Sequence, residues 1–323
     1  MIRENVYSIE VYMPRNAEQW DGFVKASRNA TFLLQRAYMD YHADRFTDYS
    51  LMIYSGSDSK RRLIALFAAC VVEERTISAH GGLTYGGLIL PFNGVDGVSV
   101  VEIMSEILSY YRNSGYNKLR YKSIPHIYHV YPCEEDVYAL FRCGAQLTEC
   151  NLSSVIDLRH PLDFNVNSRR NMRRAEMSGV KVEKSDDYPG FWQILETLLA
   201  ERYSTRPVHT LAEISLLVSN FPENIELFVA RNADGTIIAG TVVYRTATCM
   251  HAQYIAASPE GKACGALNLL FRHLISEESQ GVRYFDFGTS NEDHGRYLNA
   301  GLLRQKNGMG GRGVAYNIYE VDL

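Results

Sequence analysis

The sequence carries no strong charge of either sign: 33 lysines and arginines stand against 37 aspartates and glutamates, a formal net charge of -4. A nucleic-acid binder needs a basic surface to meet phosphates, so the balance gives no reason to expect a DNA partner. No apolar run is long enough to span a bilayer. The first residues, Met1-Ile2-Arg3-Glu4-Asn5-Val6, lack the charged-then-apolar layout of a signal peptide. A cytoplasmic location is the expectation. No Cys-x-x-Cys occurs among Cys70, Cys133, Cys143, Cys150, Cys249 and Cys264, which points to buried free thiols rather than zinc or a disulfide framework. His126 and His129 have a ligand-like spacing, but no acid or cysteine completes the pattern, and no metal is expected.

What is present fits an ordinary globular protein. The hydrophobic fraction is 46% and the charged fraction 22%, and 323 residues suffice for two domains. Tyrosine is abundant, at 22 residues. Tyrosines line carbohydrate and nucleotide sites, but they serve as readily in sheets and at interfaces.

The same order of elements is written twice. In the second half, residues 225–231 alternate as a strand, and Asn232-Ala233-Asp234-Gly235 is a hairpin turn. Residues 236–246 and 248–257 read as strands. A small-residue loop follows over 261–265, then a helix over 266–278 with Leu267, Leu270, Phe271 and Leu274 at helical spacing. Gln280-Gly281 stops it before a strand over 282–287. In the first half, residues 51–54, 63–72 and 76–80 read as strands, and 81–87 is a glycine-rich loop. A helix over 100–111 buries Ile103, Ile107, Leu108 and Tyr111, and residues 118–122 form a strand. Self-similarity on this scale suggests a duplicated domain rather than a short-repeat solenoid.

Between the halves lies an arginine-rich helix, residues 168–179, with Ser168 or Asn167 as its cap and Gly179 at its end. Arg169 and Arg173 share a face, as do Arg170 and Arg174. Like charges at that spacing repel. They are either balanced by solvent and distant acids or answered by an acidic or phosphate-bearing ligand. Thr210 and Glu213 form a capping box, which puts His209 on a loop just before a helix.

The C-terminal region is the most distinctive. Tyr284-Phe285-Asp286-Phe287-Gly288-Thr289-Ser290 reads as an alternating strand. A helical segment follows, then Lys306 before a glycine-rich turn, Gly308-Met309-Gly310-Gly311, and a closing strand. Asp, Ser and Lys at strand ends are placed where clefts form in α/β domains.

These residues resemble the end of FemAB-like acyltransferases, in which a strand with Asp-x-Gly precedes a Phe-Lys-x-x-Phe-Gly turn. Here Gln305 and Met309 stand at the phenylalanine positions. The arginine-rich helix is similar to the segment that opens the second domain of those proteins. The resemblance covers most of the chain, because the duplicated plan matches their tandem GNAT-like domains. It implies an α/β fold with α+β mixed sheets in two tandem GNAT-like domains, residues 1–160 and 161–323, the second holding most of the site.

It also implies a bacterial acyltransferase that moves an acyl group, acetyl in the simplest case, from acyl-CoA to an amine acceptor. An amino sugar, nucleotide sugar or cell-envelope precursor would supply that amine. The acetyl-CoA loop of GNAT proteins, Arg/Gln-x-x-Gly-x-Gly/Ala, corresponds to residues 258–266. Its basic position is not kept, but Gly261, Cys264, Gly265 and Ala266 can cup a pyrophosphate. Aminoacyl transfer from tRNA to a peptidoglycan precursor stays open, as does a non-catalytic tandem protein that binds a ligand.

Acyl transfer needs a neutral amine, a gripped carbonyl and stabilisation of the oxyanion. Backbone amides on a splayed strand supply the last in GNAT-like folds, and residues 250–255 would lie there. Strict alternation places His251, Gln253 and Ile255 on one side and Ala252 and Tyr254 on the other. Tyr254, Asp286 and Lys306 are the expected catalytic residues: Tyr254 to contact donor or acceptor or to protonate the departing thiolate, Asp286 to orient or deprotonate the amine, Lys306 to stabilise negative charge or bind a phosphate of the acceptor. His209, Gln253, Ser290, Arg170 and Arg174 are the expected substrate contacts.

Overall fold

The computed structural model describes residues 7–57 and 60–323. The chain divides into two compact units, residues 1–151 with 315–323, and residues 152–314. The sequence boundary fell nine residues later, at 160/161, and left the chain end in the second domain. The end instead joins the first unit, because Ile318–Asp322 pairs antiparallel with Lys118–Lys122. Among the described residues no helix is long and apolar enough to cross a membrane.

In the first unit, strands Tyr7–Val11, Leu51–Ser55, Arg62–Ala68 and Gly87–Ile89 form one antiparallel sheet. The run read as one strand over 63–72 is broken at Ala69, and its second part, Cys70–Glu73, joins another sheet. There it pairs with Thr76–Ser78, which runs parallel to Lys118–Lys122. Helix Gly97–Asn113 is capped by the Asp96 carboxylate, which accepts from Ser99 N–H at 2.9 Å. Its stripe of Val100, Ile103, Met104, Ile107 and Tyr111 is buried in the core of this unit.

In the second unit, helix Val166–Met177 is capped by Asn165, whose side chain accepts from Ser168 N–H at 2.8 Å. The cap therefore lies two or three residues earlier than the sequence suggested. Strands Lys181–Ser185, Ile225–Arg231, Ile237–Arg245 and Cys249–Ala257 follow one another antiparallel. Tyr284–Thr289 runs parallel to the last of these and antiparallel to residues 153–157. Parallel neighbours need a crossover. Here helices Pro259–Cys264 and Ala266–His273 supply it, and the second continues as a π-turn over Leu274–Glu278.

One face of this sheet packs on that crossover. Phe271, Phe285 and Phe287 meet edge-on with centroids 4.9 to 6.0 Å apart, each pair adding about 0.5–1.5 kcal/mol beyond its buried area. Alternation along Tyr284–Thr289 then turns Asp286 to the opposite face. On that face lies helix Tyr188–Tyr203, with Phe191, Trp192 and Leu195 buried.

Candidate active site

The parallel strands Cys249–Ala257 and Tyr284–Thr289 pair only at Cys249 with Tyr284, Met250 with Phe285 and His251 with Asp286. Beyond that point they diverge. Just past it, the register with the antiparallel neighbour shifts: Val243 faces Ala252 and Val242 faces Tyr254. Gln253 opposes no residue and forms a bulge. The bulge overturns the strict alternation expected for this strand. Ala252 and Ile255 pack with the phenylalanine core, whereas Tyr254 lies against Trp192 with ring centroids 5.1 Å apart.

Asp286 is fully buried. Its Oδ1 accepts from Ser153 Oγ at 2.5 Å and from Gly288 N–H at 2.8 Å, and Oδ2 bonds His251 Nδ1 at 2.8 Å. A carboxylate so enclosed offers no exposed surface on which to meet an amine directly. His251 and Ser153 were not singled out from the sequence. A signal for the histidine was present: an aspartate set between buried phenylalanines needs a polar partner, and His251 is the imidazole on the neighbouring strand.

Lys306 sits in the last turn of helix Ala300–Gly308 and is 4% exposed. Its Nζ donates to the carbonyls of Gly288 and Thr289 at 2.8 and 2.7 Å. Burial lowers its pKa to about 8, against a weaker upward pull from Asp286. Tyr254 is buried, and its hydroxyl accepts from the His209 backbone N–H at 3.2 Å and bonds His209 Nδ1. His209 is itself buried. Ser290 is buried beside this cluster in sequence, and its hydroxyl has no partner among the described residues.

The residues expected to hold the donor separate into two groups. Gly261 and Gly265 line a cleft of about 770 Å³ together with Asn165, Ser168, Lys262, Asn268, Arg304, Asn307 and Arg312. None of its lining residues is acidic, and three are cationic. Cys264 instead lines a separate hollow of about 320 Å³, and Ala266 is buried in a small apolar core. The stretch 261–265 is not an open loop: Pro259–Cys264 is a helical turn capped by Ser258, and Gly265 follows in the left-handed region at φ +86°. A β-carbon there would stand 2.7 Å from the Asn171 carbonyl oxygen, so the position requires glycine. Arg174 reaches the Ala263 carbonyl at 2.6 Å, and Arg170 is exposed on the same helix; neither lines the cleft.

Residues 164–296 match the family of acetyltransferase (GNAT) domains. Among solved structures, the fold is similar to FemX, 11% identical over 98% of this chain and 97% of that one, with a TM-score of 0.67. It is similar also to L-PGS from Bacillus licheniformis, 15% identical over 96% and 92%, with a TM-score of 0.61. A tandem GNAT protein from the clavulanic acid biosynthesis pathway matches over 98% of both chains at 10% identity, with a TM-score of 0.53. No curated protein sequence matches the chain. The expected fold class is therefore the observed one, a mixed α/β architecture similar in fold to FemX and to a tandem GNAT protein. The match of residues 164–296 to an acetyltransferase (GNAT) domain supports an N-acyltransferase.

Proposed function

We propose that the protein transfers an acyl group, acetyl in the simplest case, from acyl-CoA to a primary amine in the bacterial cytoplasm. The amine belongs to an amino sugar or a related cell-envelope precursor. The observation that carries this reading is the cleft of the second unit. It is bounded by the segments that follow the two diverging strands, residues 261–268 after one and 301–308 after the other. Its cationic residues Lys262, Arg304 and Arg312 suit the phosphates of a nucleotide-borne thioester. The divergence then gives the acyl-bearing arm a path to the bulge at Gln253, whose backbone N–H is a candidate donor to the oxyanion.

In this reading Asp286 orients rather than deprotonates. Lys306 holds the end of the strand and keeps positive charge near that carboxylate. Tyr254, fixed by His209, marks the acceptor side of the sheet. Gln253 and Ser290 complete that side, and Arg170 and Arg174 are assigned only to outlying contacts with a phosphate-bearing acceptor. Thiol release from acetyl-CoA in the presence of glucosamine, UDP-sugar amines and lysine tests the proposal. Turnover with one of them, reduced by Lys306→Ala, Asp286→Ala and Tyr254→Ala, is expected. An activity that survived all three changes would place the site elsewhere.

A second reading is aminoacyl transfer from tRNA. The likeness in fold to FemX and to L-PGS favours it, and so does the exposed row Arg169, Arg170 and Arg173. Binding of aminoacyl-tRNA that weakens steeply with salt, without thiol release from any CoA ester, would establish it instead.

A further inference from the structure

The divergence point of the second unit holds a histidine–carboxylate pair with a defined polarity. We infer that His251 accepts the proton of the attacking amine, with Asp286 as its positioning residue; this rests on the acyl-transfer reading above. The two are register partners at the last paired position before the strands separate. Asp286 has no exposed surface, while the His251 side chain retains 14%. The carboxylate is fixed at both oxygens, by Ser153 and Gly288 on one and His251 on the other.

An ionised carboxylate accepts only, so Nδ1 of His251 carries the hydrogen and Nε2 is the basic nitrogen. The arrangement is that of a base oriented by a buried acid. Backbone geometry adds to it. Gly288 lies at φ +77°, and a β-carbon there would stand 3.4 Å from Cε1 of the imidazole, so the ring edge lies against bare backbone. Other titratable groups around the pair are Lys306, whose charge acts on Asp286, and Tyr254 with His209 further along the same face.

The step balances without a further reactant. The amine nitrogen attacks the thioester carbonyl carbon, a C–N bond forms, and the carbonyl π pair moves to oxygen. Nε2 takes the proton leaving the nitrogen. The tetrahedral intermediate collapses, the C–S bond breaks, and the imidazolium returns the proton to the departing sulfur. The products are an amide and a free thiol.

The test uses the full chain with acetyl-CoA as donor and glucosamine and lysine as probe amines. His251→Gln should lower kcat/KM by about 10²- to 10⁴-fold while the acetyl-CoA-induced rise in thermal midpoint is kept. The pH–rate profile should change shape in His251→Gln and in Asp286→Asn. Ring-nitrogen NMR of the unaltered protein should find Nδ1 protonated and Nε2 not, a readout that needs no variant to fold. A His251→Gln enzyme within about threefold of the original would overturn the inference and leave the acyl-CoA reading standing. So would the reverse tautomer, or loss of acetyl-CoA binding together with turnover. If the unaltered protein neither binds acetyl-CoA nor releases thiol, the reading itself falls and this inference with it.

Discussion

Each unit contains a pair of parallel strands with a lysine bonded to backbone carbonyls at its end, and the two differ in what lies beyond. In the first unit, Lys122 ends strand Lys118–Lys122 and donates to the carbonyls of His80, Gly81 and Leu83 at 2.8 to 3.2 Å. In the second, Lys306 holds Gly288 and Thr289 in the same manner. Burial lowers both ammonium groups to about 8. A lysine that gathers carbonyls at or just past a strand end is thus a structural device of both units, and by itself it does not mark a reaction centre.

The surroundings make the distinction. The glycine-rich stretch over 81–87 is packed shut: a β-carbon on Gly82 would lie 2.1 Å from His42 Nε2, and one on Gly87 2.6 Å from the Tyr121 hydroxyl. The corresponding segment of the second unit borders an open cationic cleft. The buried acids differ too. Asp136 in the first unit accepts from Tyr121 and is raised to about 6 by burial, whereas Asp286 is tied to an imidazole that keeps some exposure.

The largest expected effect sharpens this contrast. Each charge-assisted phosphate contact contributes about 1.5–3 kcal/mol, so Arg304→Glu with Arg312→Glu should weaken acetyl-CoA binding by about 100-fold or more, read by calorimetry. Lys122→Met should leave that affinity unchanged. Next in size, Lys122→Met and Lys306→Met each remove two or three hydrogen bonds from a charged donor to backbone carbonyls and should lower stability by about 1–3 kcal/mol, but only the second should also reduce turnover.

The pH dependence of the two lysines has a definite sign. Their ordinary pKa is about 10.4, so between about 8 and 10 the unfolded chain binds more protons and folded stability rises with pH. Each Met variant should lose part of that rise in thermal melts. Gly82→Ala should destabilise without touching acetyl-CoA affinity, whereas Gly265→Ala should do both; equal effects on affinity would break the comparison. The smallest effect concerns Asp136. Its folded pKa of about 6 lies above the ordinary 3.9, so stability falls as pH rises through that window. Asp136→Asn should remove this slope.

Much of the fold was legible because it is local. Hydrophobic period and turn residues located most strands and helices, and Thr210 with Glu213 forms the capping box their spacing suggested. What was not legible depends on register. The bulge at Gln253 turns Tyr254 away from Ala252's face, and nothing in the composition of that strand announces it. Asp286 and Lys306 are legible as residue types at their positions, but their partners come from strands and carbonyls elsewhere in the chain. Ser153 reaches Asp286 across 133 positions, through a pairing that no local pattern encodes. The chain end returns to the first unit for the same reason.

The most direct test of the central claim is the thermal midpoint of the protein with and without acetyl-CoA at millimolar concentration. A ligand that binds only the native state raises the midpoint by mass action. The expected rise persists in Lys122→Met and is lost in the Arg304→Glu, Arg312→Glu variant. No rise in the unaltered protein, or a rise that survives the loss of both arginines, would contradict it.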